Sequence, residues 1–129
     1  MVETTSLWCL PDHVRFVTHQ GKQVLIVDLS HCTSDEIEKT LRVVPNLVMT
    51  RPRNSVLILS DFTGASINRA AILALEETAV FDKPYVRKSG CVGIESFPVK
   101  LIEDVSIFSG RQFSSFRTRE EALTWLVKE

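Results

Sequence analysis

Residue types that announce a specialised chemistry or compartment are scarce in this 129-residue chain. Its three cysteines, Cys9, Cys32 and Cys91, are odd in number and far apart. That excludes a dense disulfide framework and suits reduced thiols in a cytoplasmic protein. Five glycines and five prolines are too few for a low-complexity or linker-like segment. No apolar run approaches the roughly 20 residues that span a bilayer, and residues 1–12 lack a basic stretch followed by an apolar one. Stable membrane insertion is therefore not expected. The charges nearly cancel, with a formal net of -1, so no broad electropositive footprint marks the chain for nucleic acid. No Walker loop, dinucleotide fingerprint or nucleophile elbow occurs.

What remains is ordinary globular material: 44% hydrophobic and 24% charged residues, in a length that suits one domain with its own core. Residues 1–12 read as an N-terminal arm held through Trp8 and Leu10, and residues 13–129 as a single domain. Residues 14–19 alternate apolar and polar side chains, and residues 23–29 form a second apolar run. With the Gln20-Gly21-Lys22 turn between them, they predict a β-hairpin. Ser34-Asp35-Glu36 is a helix start, with a hydroxyl cap and two acids in the first turn. Apolar spacing continues on both sides of Pro45, which predicts one kinked helix over 34–50.

Residues 56–59 are an unbroken apolar run, as a strand buried on both faces requires. Ser60-Asp61-Phe62-Thr63-Gly64-Ala65-Ser66 follows, and then a helical pattern over 67–81. Further segments are a strand over 85–93, a helix over 97–108 with Pro98 in its first turn, and a short strand over 113–116. A last helix opens on the capping-box spacing Thr118-Arg119-Glu120-Glu121. The order ββαβαβαβα describes an α/β fold with a mixed sheet of about five strands and four helices.

In such sheets ligands gather beyond the carboxyl ends of the strands, where Asp61, Thr63, Gly64 and Ser66 lie. A hydroxyl and backbone N–H groups at a helix N-terminus can hold an anion. The same residues also suit a purely structural loop, with Ser66 as helix cap, Gly64 in the turn and Asp61 tying it down. His13, His19 and His31 lack the spacing of a metal site, even with Cys32, Asp28 and Asp35 nearby, and no metal or other cofactor is expected. Cys9 and Arg15 match a phosphatase spacing, but Pro11 and a strand occupy the stretch where a phosphate-cradling loop belongs. Cys91 reads as a core residue, and no paired acid/base is indicated, so an enzyme is not expected.

Arg51, Arg53, Arg87 and Lys88 form a basic patch if their loops meet, which suits a phosphorylated partner; solvated turns are the simpler account. Phe97, Phe108, Phe113 and Phe116, with Trp8 and Trp125, serve either as ordinary core or as the wall of a small apolar pocket. Arg111, in the loop after Gly110, is a candidate contact for an acidic group or a surface ion pair. An exposed sheet edge permits pairing of two copies.

The hairpin, residues 56–64, Lys83-Pro84-Tyr85-Val86, Phe108-Ser109-Gly110-Arg111 and residues 118–126 together resemble the STAS family of sulfate transporters and anti-sigma-factor antagonists. The likeness extends to small bacterial STAS-like proteins grouped with CRAL-TRIO lipid-binding domains. It implies a non-enzymatic regulatory module whose partner is an anti-sigma-type kinase or another regulator. In antagonists an Asp-Ser-Ser-Gly motif carries the phosphorylated serine. Here Asp61-Phe62-Thr63-Gly64 places Thr63 on the acceptor position if Asp61 is the motif aspartate. If Asp61 is instead the aspartate of an earlier strand-end motif, the position moves towards Ser66. The lipid-binding relatives imply the alternative of a small apolar or lipid-like ligand between helices and sheet.

Overall fold

The computed structural model describes residues 13–95, 97–111 and 113–128, apart from the side chains of Val99 and Phe108. The N-terminal arm, with Trp8 and Cys9, lies outside the described residues. Strands β1 (Val14–His19) and β2 (Lys22–Asp28) form the expected hairpin. Gln20 and Gly21, at φ 50 and 82, turn the chain in two residues, the twist that a tight hairpin needs. Strands β3 (Val56–Asp61), β4 (Val86–Val92) and β5 (Ser114–Phe116) complete a mixed five-stranded sheet in the order β1-β2-β3-β4-β5. Among the described residues only the β1–β2 pair is antiparallel.

Among the described residues four helical units connect and flank the strands. The first is not one kinked helix but two: α1 (Ser34–Leu41) and α2 (Val44–Val48). Pro45 sets the break. Its ring would clash with the carbonyl of Leu41 in a continuous helix, whereas in the first turn of α2 its missing N–H is no loss. The cap of α1 is Thr33, one residue earlier than expected. Its hydroxyl accepts from the Glu36 amide at 3.2 Å while the Glu36 carboxylate accepts from the Thr33 amide at 2.8 Å. Helices α3 (Arg69–Asp82), α4 (Val99–Ser109) and α5 (Arg119–Val127) follow. At α5 the box is shifted: Thr118 accepts from the Glu121 amide, but Glu121 accepts from the amide of Arg117.

The period-2 alternation of β2 and β3 divides the core. Leu25, Val27, Val56 and Ile58 face one side and pack with Ile37, Val44 and Ala71 of α1, α2 and α3. Val24, Ile26, Leu57 and Leu59 face the other and meet Ala122, Leu126 and Val127 of α5. Burial of both faces explains why these runs are apolar throughout. The late aromatics do not form one cluster. Phe97 and Phe113 join the first face, while Phe116 and Trp125 stack on the second with ring centroids 5.3 Å apart. Strands β2 to β5 all end on one side of the sheet. There α5 begins, and at the opposite side α3, α4 and α5 end.

Candidate functional site

Two adjacent parallel strands finish on the same three-residue signature, Asp28-Leu29-Ser30 and Asp61-Phe62-Thr63. Asp28 and Asp61 are register partners across β2 and β3. Each carboxylate caps its own turn. Asp28 Oδ1 accepts from the Ser30 amide at 3.1 Å and hydroxyl at 2.5 Å. Asp61 Oδ1 accepts from the Thr63 amide at 2.9 Å and hydroxyl at 2.7 Å. Arg119, the first residue of α5, spans the pair, with Nε donating to Asp61 Oδ2 at 2.7 Å and Nη2 lying 3.0 Å from Asp28 Oδ1.

Burial works against charge on Asp28, but the two Ser30 bonds and Arg119 outweigh it and hold its carboxyl below the usual range. Burial likewise works against the Arg119 cation, and bonds to Asp61 and Asp28 reverse that, raising its pKa. Asp61 is only 5% exposed, and Arg119 is the cation paired with it.

The loop after Asp61 is stitched into the neighbouring loop beyond β2. Leu29 N donates to Asp61 O at 2.8 Å and His31 N to Thr63 O at 2.7 Å. Ser66 N reaches Cys32 O at 3.0 Å, and Ser34 Oγ donates to Ser66 O at 2.8 Å. Two glycines let the backbones approach so closely. A Cβ on Gly93 (φ 82) would stand 2.4 Å from Thr63 N, and one on Gly64 (φ 68) would stand 2.4 Å from His31 Nδ1.

The helix does not begin where the apolar pattern suggests. Asn68, not Ser66, caps α3, accepting from Ala71 N at 2.9 Å. Asn and Ser cap about equally well, and here Ile67, just ahead of Asn68, packs into the core. Thr63 and Ser66 are thus exposed loop residues, upstream of the helix terminus. The amides of Thr63, Ala65 and Ser66 are already bonded within the loops.

The structure turns Arg111 inward. Nη1 donates to Ala79 O at 3.2 Å near the end of α3, Nη2 donates to Ser89 Oγ, and the guanidinium lies 4.9 Å from the centre of the Phe113 ring. It sits near buried Asp82. Burial pushes the Asp82 carboxyl up to about 7, with Arg111 offsetting only part. Burial also pushes the Cys91 thiol up to about 12, in keeping with a core residue. The apolar space between α3, α4 and the sheet, lined by Phe62, Leu75, Leu101 and Phe113 among others, is about 40 Å³. A lipid chain needs several times more. Among the described residues no group of three or more His, Cys, Asp and Glu side chains is placed to hold a metal ion.

Asp28 and Arg119 escape a reading of the sequence focused on one loop. The repeated Asp-x-Ser/Thr at the ends of two apolar runs is the signal that marks Asp28. Nothing local marks Arg119.

No family model matches the chain, and no curated protein matches it. A solved structure does, across 88% of this chain and 91% of its own, with a TM-score of 0.68 at 14% identity. It is an uncharacterized protein of the DUF3478 family with a SpoIIAA-like fold, from Shewanella loihica PV-4. The fold is SpoIIAA-like, and so STAS-like. This agrees with the mixed sheet and helix order expected from the sequence, and at such low identity it extends to the fold alone.

Proposed function

We propose that the protein is a non-enzymatic regulatory module that engages a partner protein at the carboxyl end of its sheet, switched by phosphorylation of Thr63 or Ser66. The observation that carries this reading is the bond from the exposed Thr63 hydroxyl to Asp61, whose other oxygen holds Arg119. Phosphorylation of Thr63 removes that donor and sets a charge of about -2 beside Asp61 and Asp28. The loop then turns outward, or Arg119 exchanges a carboxylate for the phosphate; either changes the surface that a partner meets. A phosphate on Ser66 acts differently, adding charge to the exposed loop without breaking the Asp61 turn. An anti-sigma-type kinase is the partner that the STAS-like fold suggests. The buried free thiol of Cys91 suits a cytoplasmic setting.

Peptide mass spectrometry on protein isolated from its native cells, with capture of partners by wild type and Thr63→Glu, tests this. The expected result is a phosphate on Thr63 or Ser66 and loss of a wild-type partner in the variant. Two unmodified hydroxyls across growth conditions, with the same proteins captured by both forms, would overturn it.

A further inference from the structure

At the far end of the sheet from Thr63, a concave site of about 340 Å³ opens between the starts of β2, β3 and β4 and the end of α5. Its charged lining is of one sign: Lys22, Arg51, Arg87, Lys88 and Lys128, with no acid among the described residues that line it. A second concavity of about 380 Å³ shares Arg87 and Lys88 and adds Lys83 and Arg111, again without a described acid. Seven of the fifteen lysines and arginines of a nearly neutral chain thus converge on one end.

Capping of helix ends accounts for two of them. Lys88 Nζ donates to the carbonyls of Trp125 and Lys128 at 3.0 and 2.9 Å, using two of its three donors, and Arg111 serves α3. It does not account for Arg51 and Arg87. Arg51 lies over Phe16, with Cζ 4.0 Å from the ring centre, and its buried Nε has no hydrogen-bond partner among the described residues. Arg87 owes its position to an irregularity in the sheet. Val56 pairs with Val86 and Leu57 with Lys88, so Arg87 is skipped. Consecutive strand residues ordinarily point to opposite faces, yet here both Arg87 and Lys88 line the same two concavities, the re-aiming that a bulge provides. Half-buried Phe16 supplies apolar surface in the first concavity.

We infer that this end of the sheet binds a small organic phosphate. Its phosphoryl group lies among Arg51, Arg87 and Lys88, and its apolar or planar part rests against Phe16. A dianion matches the one-signed lining, and the volume falls at the lower end of sites for small ligands. The inference stands apart from the phosphorylation switch, which involves the opposite end of the strands.

Titration of the protein with phenyl phosphate, followed by amide chemical shifts at low chloride, tests it. Saturable binding is expected, with shifts at residues 55–57 and 87–88, tighter than for inorganic phosphate and weakening as salt rises. Arg87→Glu, at an exposed position, should lower the affinity about tenfold or more while the remaining spectrum keeps its dispersion. Arg51→Gln should do the same, and Thr63→Glu should leave binding unchanged. Absence of saturable binding, or affinity indifferent to Arg87→Glu, would overturn the site. Equal affinity for inorganic and phenyl phosphate would overturn the organic class of ligand. Attachment to phosphatidylserine-containing vesicles without saturable phenyl phosphate binding would replace the site with a membrane-facing surface.

Discussion

Asp28 and Asp61 stand opposite one another in the β2–β3 register, close identical turns, and share the guanidinium of Arg119. Two carboxylates at neighbouring strand ends repel unless a cation lies between them. Arg119 also begins α5, so the same contact fixes where that helix enters the sheet's second face.

Arg119→Met leaves the Asp61 carboxylate buried without its partner. Removing one member of a buried pair costs about 3–5 kcal/mol, and the half-exposed Asp28 and Arg119 place the loss nearer 2–3 kcal/mol. Urea unfolding of the variant measures it. Arg119→Lys should recover only part, because an ammonium cannot reproduce the two-carboxylate fork. The Asp28 carboxyl, read by carbon NMR, should titrate at higher pH in both variants.

Asp82 gives stability an unusual pH dependence. Its carboxyl is raised from 3.8 to about 7 by burial, so the folded state binds this proton more tightly than the unfolded chain. The contribution is complete below the unfolded value and is lost as pH rises through about 7. Asp82→Asn should abolish that decline. It should stabilise the protein at about pH 8 relative to wild type, on the order of 2–4 kcal/mol, with a much smaller effect near pH 4. Equal slopes of unfolding free energy against pH in the two proteins would contradict this.

Glycine replacements separate backbone conformation from close approach. Gly21 and Gly93 share φ 82, but a Cβ on Gly21 meets nothing within 4 Å, whereas one on Gly93 strikes the Thr63 backbone at 2.4 Å. Gly21→Ala should cost about 1 kcal/mol, the strain of a left-handed alanine. Gly93→Ala should cost clearly more and shift the amide resonances of Thr63 and Gly64.

The start of α3 is testable by two alanines. Asn68→Ala should lose about 1 kcal/mol, a typical cap contribution, and Ser66→Ala should fall within about 0.5 kcal/mol of wild type. The reverse ranking in thermal unfolding would place the cap at Ser66.

Much of the architecture was legible because it is written in local patterns. Runs buried on both faces are apolar throughout, hairpin turns need glycine, and the Thr118 hydroxyl caps the last helix. Deviations arose where two local rules competed. Pro45 could kink a helix or open a new one, and the clash with Leu41 decided for two. Ser66 and Asn68 could both cap, and Asn68 won while Ile67 turned to the core. The loop residues Asp61, Thr63, Gly64 and Ser66 were legible as a group, since they follow a buried strand.

The amino-acid sequence by itself determined the alternation of strands and helices and the core faces, because each depends on neighbours within a few positions. Tertiary structure alone decided which distant charges meet. Arg119 lies 58 residues from Asp61, and no spacing rule joins them. Their contact follows from the parallel register of β2 and β3 and from the entry of α5 beside their ends. The same reason separates the basic residues from the solvated turns that would otherwise account for them. Arg51, Arg87 and Lys128 become neighbours because the starts of three strands and the end of one helix meet at one edge of the sheet.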